Sequence, residues 1–324
     1  MKALPTNKQY VIIDEIQKLP KLLDVVHYLI EMTDKIFILT GSSAKKLRHG
    51  GSNLLAGRAI LFNLYPLSYL EVDQEFNLQH ALQYGMLPKI FELTNELEKQ
   101  LFLETYVNLY LKEEVWAEKY VRDLSLFRHF LEVAAQCNGK KINLSNIARD
   151  VGVSTYTVQD YFSILEDTLI GYFLQPFEHS FRKRLSKKPK FYFFDTGVTR
   201  ALIGLIELPL AESTSAYGEA FEHFIINQCI QLASYFHRHY RFSYLATKDD
   251  AEIDLVVERP GQKILFIEIK SSTTVESRHL ATLRALARDF DECEAVCFSR
   301  DPYPKLIDNI MVYPWKMGIK QFFS

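Results

Sequence analysis

The chain has 324 residues, 48% of them hydrophobic and 24% charged, with a formal net charge of −2. That apolar content supports packed cores and excludes a disordered chain, while the near-neutral balance excludes a global pull toward nucleic acid or anionic membrane. Any polyanion contact must come from a local patch. The length predicts two or three domains. No apolar run approaches a membrane span, and the basic start is not followed by a signal-peptide core. Cys137, Cys229, Cys293 and Cys297 form no CxxC pair, and few scattered thiols suit a reducing cytoplasm. Cys293 and Cys297 are expected to pack beside a strand rather than hold a metal.

Near the start stands VIIDEIQKLP, in which an apolar run delivers Asp14 and Glu15 to a strand end. This is the form of a Walker B strand, whose Asp holds Mg²⁺ on a nucleotide and whose Glu orients the attacking water. The G-x-x-x-x-G-K-[ST] loop that cradles phosphates occurs nowhere in the sequence. A helical pattern with Leu22, Val25, Val26 and Leu29 on one face leads to a second strand, KIFILTG, and AILFNLYPLS is predicted as a third. Strand, helix and strand predict a parallel α/β sheet. Ser42, in ILTGSSAKKL at the second strand's end, suits a polar sensor of a γ-phosphate. Arg58, in LAGRAI, is a candidate arginine finger or sensor. The plainer alternatives are an ordinary turn and a surface cation.

From Gln74 to about Cys137 the pattern is helical, and Asn138-Gly139 breaks it. Lys141 to Lys190 resembles a winged helix-turn-helix: INLSNIARDVGV predicts a short helix and a turn at Gly152, and Ser154 is a candidate N-cap for the helix TYTVQDYFSILED. That second helix carries Asp160, Glu166 and Asp167 and no Lys or Arg, and Gln159 alone suits base reading, so packing is expected over sequence-specific DNA recognition. Strands TLIGYFLQPF and FYFFDTG flank the basic run FRKRLSKKPK, a candidate phosphate contact at 182–190 or else a solvated loop.

After Tyr217 a long helix, GEAFEHFIINQCIQLASYF, precedes strands FSYLAT, EIDLVVE and KILFIEIK, the last two joined at Pro260-Gly261. A helix over about Glu276–Asp289 and a strand EAVCFS follow. Glu268 and Lys270 lie two apart and project from one strand face. The turn can set Asp254 beside Glu268, with Glu222 reaching in from the helix. Three carboxylates at one point repel unless a divalent cation sits among them, and Mg²⁺ prefers such oxygen ligands. The chemistry this suits is metal-assisted attack of water on a phosphodiester, with Lys270 steadying charge. The bland alternative is an ordinary cross-strand pair.

Taken in order, VIIDEIQKLP, ILTGSSA, LAGR with LYPLSYLE, KFYFFDTGV, FEHFI, AEIDLVVE and FIEIKSS resemble the prokaryotic AAA+-type ATPases whose C-terminal half is a conserved domain of unknown function. The resemblance spans essentially the whole chain. It implies a multidomain α/β protein: the C-terminal part of a P-loop ATPase core (1–72), a helical lid (73–138), a winged helix (139–200) and a PD-(D/E)XK nuclease-like α/β domain (201–324). It also implies ATP with Mg²⁺ as cofactors. Asp14 and Glu15 match the Walker B pair, Asp14 as a metal ligand and Glu15 as a catalytic group, and Ser42 matches the sensor position. Glu222, Asp254, Glu268 and Lys270 match the nuclease-like motif. Family members place a strand, P-loop and helix before the Walker B strand. A misassigned start, a truncated chain or a degenerate paralogue would each account for the departure. The expected function is that of an AAA+-family fragment acting on DNA or nucleoprotein. The alternatives are a Mg²⁺-dependent DNA nuclease and a non-catalytic scaffold that binds DNA or protein or self-associates.

Overall fold

The computed structural model describes residues 9–41, 58–110, 123–178, 188–247, 251–290 and 292–324. Its first unit is small. Strand β1 (Tyr10–Ile13) pairs in parallel with β2 (Ile36–Leu39) from Tyr10↔Ile36 to Ile13↔Leu39, and α1 (Leu22–Met32) connects them. Leu23 and Val26 of α1 are buried, while Tyr10, Ile12, Ile36 and Ile38 stay exposed on the sheet.

The expected third strand is absent: residues 59–67 form neither helix nor strand. Pro66 has no N–H to give a ladder. The backbone finds partners in side chains instead. Tyr65 N–H donates to the Tyr235 hydroxyl at 3.0 Å, and the Gln231 amide donates to the Pro66 carbonyl. The stretch is a strap laid along the long helix of the C-terminal half, with Leu64 89% exposed.

A helical region follows: α2 (Tyr69–Val72), α3 (Leu78–Tyr84), α4 (Pro88–Glu92), α5 (Glu96–Thr105), a π turn (Tyr106–Tyr110) and α6 (Leu124–Gln136). Ser68 starts it with a capping box to Glu71. Helix α7 (Leu144–Val151) ends at Gly152 in the left-handed conformation, and Ser154 caps α8 (Thr155–Asp167) by accepting from Thr157 N–H. Strand β3 (Gly171–Pro176) and β4 (Lys190–Phe193) form an antiparallel pair, followed by α9 (Thr196–Leu202).

The C-terminal half contains α10 (Ser215–Tyr235), β5 (Arg241–Ala246), β6 (Glu252–Glu258), β7 (Ile264–Lys270), α11 (Ala281–Ala287), β8 (Cys293–Ser299), β9 (Lys305–Ile307), β10 (Ile310–Pro314) and α12 (Trp315–Phe323). Its mixed sheet runs β4-β3-β5-β6-β7-β8-β10-β9. Strands β7 and β8 are parallel and joined through α11. Helices α10 and α12 cover one face with Leu265, Ile267 and Phe298, and α11 covers the other with Val256 and Phe266. The protein is thus an α/β molecule with helices on both faces of its large sheet.

The expected division at 200/201 is not a break in packing. Strand β3 joins the C-terminal sheet through Gln175↔Ser243 and Pro176↔Tyr244. Along β4 the side chains alternate: Phe191 and Phe193 enter the core of the helical region, and Tyr192 enters the core beneath α10. Tyr69, Ala81, Leu82 and Met86 of the helical region also belong to that second core. No helix among the described residues is long and apolar enough to cross a membrane.

Candidate functional site

At the end of β1, Asp14 accepts from the Thr40 hydroxyl, and the Glu15 N–H donates to the same oxygen at 3.3 Å. Glu15 takes the left-handed conformation at φ 53°. Its carboxylate accepts from the Gln17 amide at 2.7 Å and pairs with Lys18 at 3.7 Å. The sequence reading passed over Thr40, although a hydroxyl residue at the end of β2 is the signal that marks it. Ser42 lies outside the described residues. Arg58 pairs with Glu31 of α1 at 2.7 Å, both side chains about half exposed. The ends of β1 and β2 are thus tied together through Asp14, Glu15 and Thr40.

The second cluster sits between β6 and β7. The antiparallel register, Leu255↔Ile267 through Val257↔Leu265, continues to set Asp254 beside Glu268. Asp254 accepts from Ile269 N–H at 2.7 Å. Glu268 pairs with Lys270 at 2.5 Å through one oxygen, and its side chain is only 7% exposed against 35% for Lys270. Its other oxygen, Oε2, is buried without a hydrogen-bond partner. Burial, then the charges of Glu268 and Glu222, push the Asp254 carboxyl well above the usual carboxylate range. Burial also raises Glu268, against the pull of Lys270. Burial alone would lower the Lys270 ammonium, but Glu268 and Asp254 raise it on balance.

Glu222 is placed differently from the expectation. Its Oε1 accepts from the Tyr192 hydroxyl at 2.7 Å and stands 3.4 Å from the Lys190 ammonium, which also pairs with Glu252. Lys141 reaches Glu252 at 3.8 Å. The three-carboxylate metal set is therefore not assembled. Among the described residues no group of three or more His, Cys, Asp or Glu side chains is arranged to hold a metal. The reason is local: two neighbours on β4 claim Glu222. The remaining pair of Asp254 and Glu268, with one buried oxygen left over, still fits Mg²⁺, which commonly takes one or two carboxylates and keeps its waters.

The proposed phosphate contact at 182–190 is corrected at its end. Lys190 is buried in this ion-pair cluster, so it cannot be a solvated phosphate contact, and residues 182–187 lie outside the described residues.

Sequence reasoning also missed Asp195. It is buried at the start of α9 and accepts from Met86 N–H at 2.7 Å and Val198 N–H at 2.9 Å. Burial pushes its carboxyl up to about 6, against the pull of these backbone donors. Because the folded value lies above the ordinary one, the contribution of this group is intact below pH 4 and is lost as pH rises to 6. The difference corresponds to about 3 kcal/mol. Thermal unfolding between pH 4 and 8 should therefore show a step in the wild type that is missing in Asp195→Asn. That variant is less stable throughout, because its amide N–H groups face backbone donors. Parallel pH curves for the two proteins would remove Asp195 as the source.

Comparison with known proteins divides the chain in the same order. Residues 1–73 match a family described as AAA domain, residues 75–208 a domain of unknown function (DUF8612), and residues 217–317 a domain of unknown function (DUF4143). The chain is 28% identical over 277 residues to an uncharacterized protein of Mycobacterium tuberculosis and to one of Mycobacterium bovis, covering 85% of this chain and 61% of each relative. An uncharacterized protein of Haemophilus influenzae is 23% identical over 286 residues, covering 83% of this chain and 68% of its own length. The chain thus spans 61% of the length of its mycobacterial relatives. The matches therefore run, in chain order, from an AAA-like segment into two domains of unknown function.

Proposed function

We propose that this chain is the DNA- or nucleoprotein-acting part of an ATPase-type protein, and that its C-terminal half is a PD-(D/E)XK nuclease-like domain hydrolysing phosphodiester bonds with Mg²⁺. The observation that carries this is the pair of half-buried Asp254 and buried Glu268, side by side with Lys270 alongside and one Glu268 oxygen unpartnered. Asp254 and Glu268 would hold Mg²⁺. When bound, that ion would supply an activated water and charge for the phosphate. Lys270, a third exposed, can turn from Glu268 toward an incoming phosphate and steady the charge that develops there. The buried setting of Glu268 limits the screening of these interactions by bulk water.

The helix-turn-helix and the β3–β4 hairpin are read as a winged helix used chiefly for packing. The exposed face of α8 presents Tyr156, Gln159, Asp160, Ser163 and Glu166, and no cation. DNA would be held by its backbone, with 182–187 as the candidate contact. The nucleotide has no part in this chemistry.

The ion pair of Lys270 with Glu268 favours a second reading, a scaffold whose acidic pair is neutralised and which binds DNA or protein, or associates with itself, without cleavage. Incubation with supercoiled plasmid and Mg²⁺ separates the two. The expected result is nicking that falls by about a hundredfold or more in Asp254→Ala, because losing a ligand costs at least what losing its supporting partners does. Salt-dependent retention of DNA without nicking selects the scaffold and sinks the nuclease reading.

A further inference from the structure

Lys190 is the most deeply buried cation beside the acidic site. It is 5% exposed, so it touches no substrate from where it stands. Its backbone is fixed at the start of β4, opposite Leu174 and bridged to Lys141. Its ring neighbour is Tyr244, 5.4 Å from the ammonium. Two residues on, and on the same strand face, Tyr192 donates to Glu222 at 2.7 Å. The Lys190 ammonium lies within ion-pair distance of both Glu222 and Glu252. It therefore occupies the point at which a cation shared by those two carboxylates would sit.

The two acidic pairs are unequal as a result. Glu222 and Glu252 already share a counter-ion supplied by the chain, whereas Asp254 and Glu268 keep an unpartnered, buried oxygen. A dication entering between Glu222 and Glu252 would have to expel a buried ammonium that β4 holds in place. Burying an ion without its partner is costly, so that exchange is disfavoured. We infer that Lys190 is a positioning residue, the resident counter-cation of Glu222 and Glu252, and that it limits the acidic site to one divalent cation held by Asp254 and Glu268. The inference rests on the reading of Asp254 and Glu268 as the cation pair.

Titration of the full chain with Mn²⁺, which accepts the same oxygen ligands, tests it by calorimetry and paramagnetic resonance without any activity assay. The wild type and Lys190→Arg should each bind one Mn²⁺. Lys190→Met, of similar length but neutral, should bind a second close enough to the first for their spins to couple. Glu222→Gln keeps the shape of the side chain and does not depend on Lys190→Met folding. It should shift wild-type affinity by no more than about threefold, the residue of a charge acting at a distance. A loss of about tenfold or more in Glu222→Gln would make Glu222 a ligand and overturn the inference. So would a second Mn²⁺ in the wild type, or a single uncoupled Mn²⁺ in Lys190→Met. A wild type that binds no Mn²⁺ at all overturns the cation pair itself and this inference with it. One site abolished by Asp254→Ala, together with weakened binding in Glu222→Gln, overturns the inference alone.

Discussion

Gly197→Ala is expected to lower stability by about 3 kcal/mol or more, at the upper end of overpacking costs. A Cβ built on Gly197 would lie 2.1 Å from the Tyr84 carbonyl oxygen, 2.3 Å from its carbon and 2.8 Å from the Gly85 nitrogen. Every one of these atoms is backbone, so no rotamer change can relieve the contact. The junction cannot separate cheaply either. The Thr196 hydroxyl donates to the Ala81 carbonyl at 2.6 Å, and Asp195 accepts from Met86 N–H on the same side. Gly85 itself sits at φ 79° and ψ −164°, a region that residues with a Cβ essentially do not enter. Chemical denaturation checks the prediction, with Gly152→Ala as the reference. Gly152 has φ +78° but open space around it, so only the backbone preference is lost, about 1 kcal/mol. Equal losses in the two variants would mean that α3 and α9 can move apart.

Asp254→Asn should act in opposite directions on stability and on cation binding. The folded pKa of Asp254 is raised by burial and by Glu268 and Glu222. A carboxyl so shifted contributes stability that is complete at low pH and lost as pH rises above the ordinary Asp value near 4. Asn stays neutral at every pH and can still accept from Ile269 N–H. The variant should match the wild type at pH 4 and melt higher at pH 8, with the gain growing between them. Mn²⁺ binding and any Mg²⁺-dependent nicking should be lost at the same time. A variant that melts lower at pH 8 would show instead that the Asp254 charge is structurally compensated by Lys270. That is the outcome the scaffold reading requires.

The sequence alone determined the features that depend on neighbours a few residues apart. Gly152 and Ser154 mark the end of one helix and the cap of the next, because capping is settled within a single turn. The period-two pattern of EIDLVVE and KILFIEIK, closed at Pro260-Gly261, placed Asp254 beside Glu268, because strand alternation and a short turn define the register. The succession of an AAA-like start and a C-terminal domain of unknown function was also legible, and the family matches follow it.

Tertiary structure decided the rest. AILFNLYPLS has strand-like composition, yet its backbone is claimed by Gln231 and Tyr235 of a helix some 170 positions away. Lys190 closes a run of cations that reads as solvated surface, and only its ion pairs with Glu222 and Glu252 draw it inside. Glu222 reads as a metal ligand until Tyr192, 30 residues earlier, takes its oxygen. The β3–β4 hairpin, predicted as part of a separate module, is shared by two cores. The cost of burying a charge depends on which distant groups arrive beside it, and local periodicity carries no record of that.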